Sequence, residues 1–448
     1  MDGMIIFTRV AGKLQDVNYV TGNSWRYIPQ TSIVALDPAK PGSSLKVLTE
    51  GYYSARAPEI SCDGKYLLFA GQLMQNDPWQ IWEMKLADSK IRQVTSSSEN
   101  CIDPAYLPGG GLVFSKLTVN DSLKSGHSLF TCNIDGSDIK RITFNPHSYF
   151  ASTVLKDGRV LTISRQLYPD QEDPELLILR PDGTKAEIFY KGLKGSTLIS
   201  RGWETVNGRI VLIESDKSRQ EGGDVISINY NRPLHSRVNL TSEINGDFHT
   251  VFPLQSGRLL VSWRASDTNR FALYEFDPVN KDIGKAIYQN NDYDALEAIV
   301  VEKHERPKKL PSEVDMGVKT GLLLCQDINV LDPQSAGIAS SFLKASGIEV
   351  LGIDSALGAV QVEEDGSFYL KVMADIPFQI QTIDKNGHVL HGPCGWIWLR
   401  PNERRGCVGC HEDHELVPGN RVPLSVKKPP VIIPVHINKV VEKKITLE

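Results

Sequence analysis

Near the end of the chain, Cys407 and Cys410 stand three positions apart with His411 directly after the second, within Arg405-Gly406-Cys407-Val408-Gly409-Cys410-His411-Glu412-Asp413-His414. This is the C-x-x-C-H pattern of c-type haem attachment. Each thiol can add to one vinyl group of a porphyrin, and the histidine is then carried beneath the ring within reach of the iron. The same residue types are the usual ligands of zinc, so the short motif alone leaves a structural Zn²⁺ open. That site would use Cys407, Cys410 and His414, completed by Cys325 or Cys394. Arg404 and Arg405, just ahead of the motif, are reasonable partners for haem propionates, because a guanidinium fork matches a carboxylate; the plainer reading is a solvated turn.

The rest of the chain must position this segment. At 448 residues it has room for two or three ordinary domains or one large repeat fold. With 49 basic and 54 acidic residues and no Lys/Arg cluster, it is not expected to bind nucleic acid. No run of about 18 apolar residues exists, so no membrane span is expected. Seven scattered cysteines are too few for a disulfide framework, and Cys62, Cys101 and Cys132 read as small apolar residues in or beside strands.

Residues 1–305 read as a repeat. An Asp-Gly or similar turn between two strands recurs with glycines at 64, 110, 158, 208 and 257, in steps of 46, 48, 50 and 49. A second strand pair follows each, as in Gln80-Ile81-Trp82-Glu83-Met84 and Ile91-Arg92-Gln93-Val94-Thr95. Such turns need positive φ, and four strands at this period describe a β-propeller blade. Asp2-Gly3 with Ile5-Ile6-Phe7 lacks a preceding strand, and residues 293–301 supply one with nothing after it; the two ends should meet in one blade, giving six blades in all. His127, His147, His249 and Trp203 read as blade packing and surface, with the central funnel as the place where ring folds gather ligands.

Residues 306–318 are charged and Pro-stiffened and read as a linker. From 319 to 448, strands alternate with Asp-Gly and Asn-Gly turns, which suggests a small antiparallel β-sandwich; out of it runs a long irregular loop carrying the cysteine motif. The whole chain is therefore expected to be all-β. A loop of that size in a compact domain usually serves a function. No G-x-S-x-G elbow or paired nucleophile and base appears, so an enzymatic role would be that of a haem-dependent oxidoreductase.

The stretch Glu363-Glu364-Asp365-Gly366-Ser367-Phe368-Tyr369, then Ala374-Asp375-Ile376-Pro377, then Trp396-Ile397-Trp398-Leu399-Arg400-Pro401-Asn402-Glu403-Arg404-Arg405-Gly406-Cys407-Val408-Gly409-Cys410-His411-Glu412 resembles the c-haem domain of the hydrazine synthase alpha-subunit family, in which it follows a six-bladed, TolB-like or WD40-like propeller. The resemblance implies that Cys407 and Cys410 hold haem c, that His411 is a metal ligand, and that Trp396 and Trp398 line the macrocycle. It also implies a choice at His411: the motif histidine can ligate zinc, with Cys325 and Cys394 completing that site, while His414 or Glu415 takes the iron. A single C-x-x-C-H departs from the full synthase subunit, so hydrazine synthesis is not carried over. The expectation is a haem protein of electron transfer, or the haem-bearing part of a redox enzyme; the alternative is a scaffold propeller with a zinc site. Its partner would be a redox protein or small molecule that the residues do not identify. Bacterial haem attachment occurs outside the cytoplasm, and the start of this chain lacks secretory-signal segments. The reading therefore expects a periplasmic or cell-envelope protein whose signal peptide has been removed.

Overall fold

The computed structural model describes residues 1–23, 25–119, 125–171, 173–216, 219, 221–330, 344–409 and 421–435. The chain forms two compact units, Met1–Ser312 and Glu313–Glu448.

In the first unit, the described strands form six antiparallel sheets in a repeating order. Blade 2 is typical: Ser54–Ile60, Tyr66–Gln72, Gln80–Lys85 and Lys90–Gln93, each paired with the next. The repeat glycines do what the pattern requires, since Gly64, Gly110, Gly158, Gly208 and Gly257 all have φ between 71° and 92°. Blade 1 joins the chain ends: Asp294–Val300 pairs antiparallel with Ile5–Val10, placing Ile5 opposite Val300 and Val10 opposite Asp294. The ring therefore leaves no inner strand unpartnered there.

The innermost strands share one irregularity. A register shift falls at Ala57, Asp103, Ala151, His249 and Glu297, and all but His249 have φ between 51° and 56°. A bulge inserts one unpaired residue and re-aims its side chain. Asp103, His249 and Glu297 consequently line the propeller axis. In blade 5 the inner strand breaks into Ser196–Leu198 and Trp203–Glu204, both paired with Arg209–Asp216.

Two irregular segments hold the ring. Residues 11–30, between the second and third strands of blade 1, pack across several blades. The Tyr19 hydroxyl donates to the Leu198 carbonyl at 2.8 Å, Trp25 meets Phe150 edge-on at 5.1 Å, and the Tyr27 hydroxyl lies 2.5 Å from His127 Nε2. Residues 302–312, part of the expected charged, Pro-stiffened linker, lie along the inner hairpin turns. The His304 N–H donates to the Cys62 carbonyl at 3.1 Å and the Lys308 N–H to the Lys156 carbonyl at 2.9 Å. Further on, the Ser312 hydroxyl donates to Asp182 Oδ2 at 3.1 Å. Gly158 permits this contact, because a Cβ there would lie 2.0 Å from the Lys308 carbonyl oxygen.

The second unit holds two four-stranded sheets. One runs Arg404–Cys407, Thr320–Cys325, Phe368–Met373, Val431–Ile432; the other runs Ala356–Gln361, Gly347–Leu351, Gln379–Ile383, Val389–His391. The pairs are antiparallel except that the two edge strands of the first sheet, Arg404–Cys407 and Val431–Ile432, join it parallel. Alternate residues Leu323 and Cys325, and Phe368, Leu370 and Val372, point inward and are buried with Ile348, Val350 and Phe378. Among the described residues no helix is long and apolar enough to cross a membrane.

Candidate functional site

Cys407 ends the edge strand Arg404–Cys407, directly opposite Cys325 on the parallel neighbour, with Arg405 opposite Leu323. Side chains alternate along a strand, so Cys407 and Arg405 share the face of buried Leu323 and Cys325, while Arg404 and Gly406 turn outward and are exposed. Cys325 is buried; Cys407 is half-buried and packs against the same core. The backbone stays paired beyond the strand, with the Gln326 N–H donating to the Cys407 carbonyl at 2.9 Å and the Asp327 N–H to the Val408 carbonyl at 3.0 Å. Gly409 follows because space demands it: a Cβ there would lie 2.2 Å from the Val330 carbonyl oxygen.

What aims this strand is a buried ion network in the turn before it. Asn402 takes φ 68°, which folds Glu403 back into the interior, where it is fully buried. One Glu403 oxygen accepts the Arg400 N–H at 2.8 Å; the other accepts Arg405 Nε at 3.1 Å and Nη2 at 2.8 Å. Arg400, itself buried, reaches Asp375 at 2.7 Å. A buried carboxylate held by the Arg405 guanidinium and the Arg400 N–H, beside the separate Arg400–Asp375 pair, fixes the turn in one geometry. Arg405 is thus engaged by Glu403, and Arg404 is the outward-facing guanidinium of the pair.

On the far side of the motif, Arg421 Nη2 donates to the carbonyls of Gln326 at 2.8 Å and Asp365 at 3.0 Å and lies 3.4 Å from Asp327. Burial would raise the Asp365 carboxyl, but the Ser367 hydroxyl, the Leu424 and Ser367 N–H groups and Arg421 together hold it below the usual carboxylate range. Residues before and after 410–420 are therefore anchored at the same turn, 326–329.

Cys394 packs against the same core as Cys325 and Cys407. It lies beside the second sheet, where its Sγ accepts the Ile380 N–H at 3.3 Å. Trp396 and Trp398 are interior, 7% and 1% exposed, and no described group hydrogen-bonds Trp398 Nε1. Cys410, His411 and His414 lie outside the described residues, as does Glu415. Among the described residues no three His, Cys, Asp or Glu side chains gather as a metal cage.

Residues 312–412 match the family model described as the hydrazine synthase alpha subunit middle domain. This chain is related to the hydrazine synthase alpha-subunit family. Hydrazine synthase subunit alpha of Kuenenia stuttgartiensis is 21% identical over an alignment of 512 positions, which takes in 86% of this chain. The chain spans 63% of the length of that curated relative. The solved Kuenenia stuttgartiensis hydrazine synthase superposes with a TM-score of 0.82 at 19% identity, over 95% of this chain and 72% of that one, so the two share a fold. TolB from Acinetobacter baumannii gives 0.47 at 14% identity, over 68% of this chain and 67% of its own.

Sequence reasoning missed the Arg400–Glu403–Arg405 network, although a glutamate with arginines three before and two after it was a readable signal. It also missed the axial carboxylates Asp103 and Glu297, which recur at the blade period; His249, named in the sequence reading with the central funnel as one option, lines the same axis.

Proposed function

We propose that the chain is a c-type haem protein of the cell envelope, serving electron transfer or bearing the haem of a redox enzyme related to the hydrazine synthase alpha subunit. The observation that carries this is the family match across 312–412 together with a Cys407 that ends an anchored strand with its sulfur at the margin of the core. The residues fit the group: a half-buried thiol is open to thioether formation, and the apolar wall behind it excludes water from one side. Cys407 and Cys410 would hold the macrocycle, His411 would ligate a metal, and Arg404 would meet a propionate. When bound, the haem supplies an iron that carries one electron reversibly, at a potential set by its ligands and burial. The chain's own part is positioning, through the Glu403 network that fixes the strand and the Arg421 contacts that close the loop's other end.

A second reading has one observation in its favour. Cys325 stands in register beside Cys407 on the same face, an arrangement that suits two thiolate ligands of a structural Zn²⁺ on a scaffold protein. Co-expression with a haem-attachment system separates the two. A Soret band with a covalent mass gain lost in Cys407→Ala supports haem; colourless protein with stoichiometric zinc overturns it in favour of the scaffold.

A further inference from the structure

We propose that Cys325 and Cys407 form a reversible disulfide in the haem-free chain, which withholds Cys407 until a thiol reductant opens it. The bridge follows from strand geometry; its effect on haem uptake rests on the proposed attachment at Cys407.

The two residues stand in register on adjacent parallel strands, with their side chains on one face. Adjacent strands run about 4.8 Å apart, inside the roughly 4.4–6.8 Å between Cα atoms that a disulfide spans. Backbone bonds just beyond the pair, from the Gln326 N–H to the Cys407 carbonyl at 2.9 Å and from the Asp327 N–H to the Val408 carbonyl at 3.0 Å, hold the two strands at that spacing. Cys394 belongs to the same core but is turned to its own sheet, where its Sγ accepts the Ile380 N–H at 3.3 Å and donates to the Gly395 carbonyl at 3.2 Å. Among the described residues, Cys325 is therefore the cysteine that register places beside Cys407.

Exposure sets the order of events. Cys325 is 2% exposed and Cys407 is half-buried, so an oxidant from solvent meets Cys407 first and Cys325 resolves. With a low-molecular-weight disulfide as oxidant, the Cys407 thiolate attacks one reagent sulfur and expels the other as a thiol. The Cys325 thiolate then attacks the Cys407 sulfur of the mixed disulfide and expels the second thiol. Two S–H bonds are lost and one S–S bond forms, and two electrons and two protons leave in the two reagent thiols. A bridged Cys407 has no thiol to add to a vinyl group, and a reducing dithiol returns it by the reverse exchange.

The test uses the full chain made without a haem-attachment system and equilibrated with oxidised glutathione. Unreduced peptide mapping should find Cys325 linked to Cys407 as the main cross-linked product, and dithiothreitol should release it. Haem offered to the oxidised protein should attach through two thioethers about ten-fold more slowly than to the same protein after reduction. Cys407 left unlinked, or linked chiefly to Cys410 or Cys394, overturns the proposal, as does equal double attachment before and after reduction. A linked pair whose reduced form never takes up haem refutes the haem assignment and leaves the bridge standing.

Discussion

Glu297 is the residue on which the centre of the ring converges, and replacing it tests how the propeller is held. It touches its own inner strand, Thr8 on the adjoining strand, Arg56 and Ala57 in blade 2, and Arg26 in the 11–30 segment. Burial would raise its carboxyl, but Arg56 and Arg26 outweigh that and lower it to about 2. Against an ordinary 4.5, that difference corresponds to about 3 kcal/mol of stabilisation by the ionised form. Breaking a buried ion pair from one side costs a similar ~3–5 kcal/mol. Glu297→Gln keeps the shape and one acceptor oxygen while leaving two buried guanidiniums short of an anion. Urea unfolding followed by tryptophan fluorescence should show the propeller transition weakened by about 3 kcal/mol at pH 7. Because the folded carboxyl is depressed, its contribution is present above pH 4.5 and lost as pH falls toward 2. The gap between the two proteins should therefore be constant from pH 7 to pH 5. A loss under about 1 kcal/mol, or a gap that shrinks in that window, would refute the assignment of Glu297 as the ionic hub.

Three buried histidines add an acid sensitivity of their own. Burial lowers His127 to about 4 and His147 and His249 to about 3, so each is neutral when folded and takes up a proton on unfolding below pH 6.5. Their contribution is complete above pH 6.5 and is lost as pH falls through the folded values; near pH 5.5 Glu59 and Glu175, raised by burial to about 7, oppose it by about 2 kcal/mol per pH unit, while the histidines' own slope is about 4 kcal/mol per pH unit. His147→Gln should remove about a third of that slope, and an unaltered slope counts against neutral burial. Gly158→Ala should push the Lys308 carbonyl away and expose Lys303, Arg306, Lys308 and Lys309 to trypsin; a cleavage rate equal to that of the parent would show that 302–312 is held elsewhere. Glu403→Gln should destabilise the second unit by roughly 3 kcal/mol and lower the yield of covalent haem, as read by thermal melts and pyridine haemochrome spectra.

The elements most legible in the sequence were those with local causes. A left-handed turn needs glycine, so the glycines at 64, 110, 158, 208 and 257 marked the blades, and strands on either side alternate by simple burial. The 11–30 segment was not legible, since Tyr19 finds its partner 179 residues away and Tyr27 finds His127 at a separation of 100. Residues 302–312 look like a linker because their side chains are charged; apart from the Ser312 hydroxyl on Asp182, the contacts that hold them at Cys62 and Lys156 are made by backbone groups, which composition does not encode. At the candidate site, C-x-x-C-H was readable from spacing alone. That Cys325 would face Cys407 was not, because it depends on a parallel pairing of strands about eighty residues apart. Arg405 looked solvent-facing until the αL turn at Asn402 brought buried Glu403 beneath it.

The most direct measurement is peptide mass spectrometry of the protein isolated from its own host, on the fragment spanning Cys407 and Cys410. The account expects that fragment to carry one haem through two thioethers. Unmodified thiols at both positions in the native protein would contradict it.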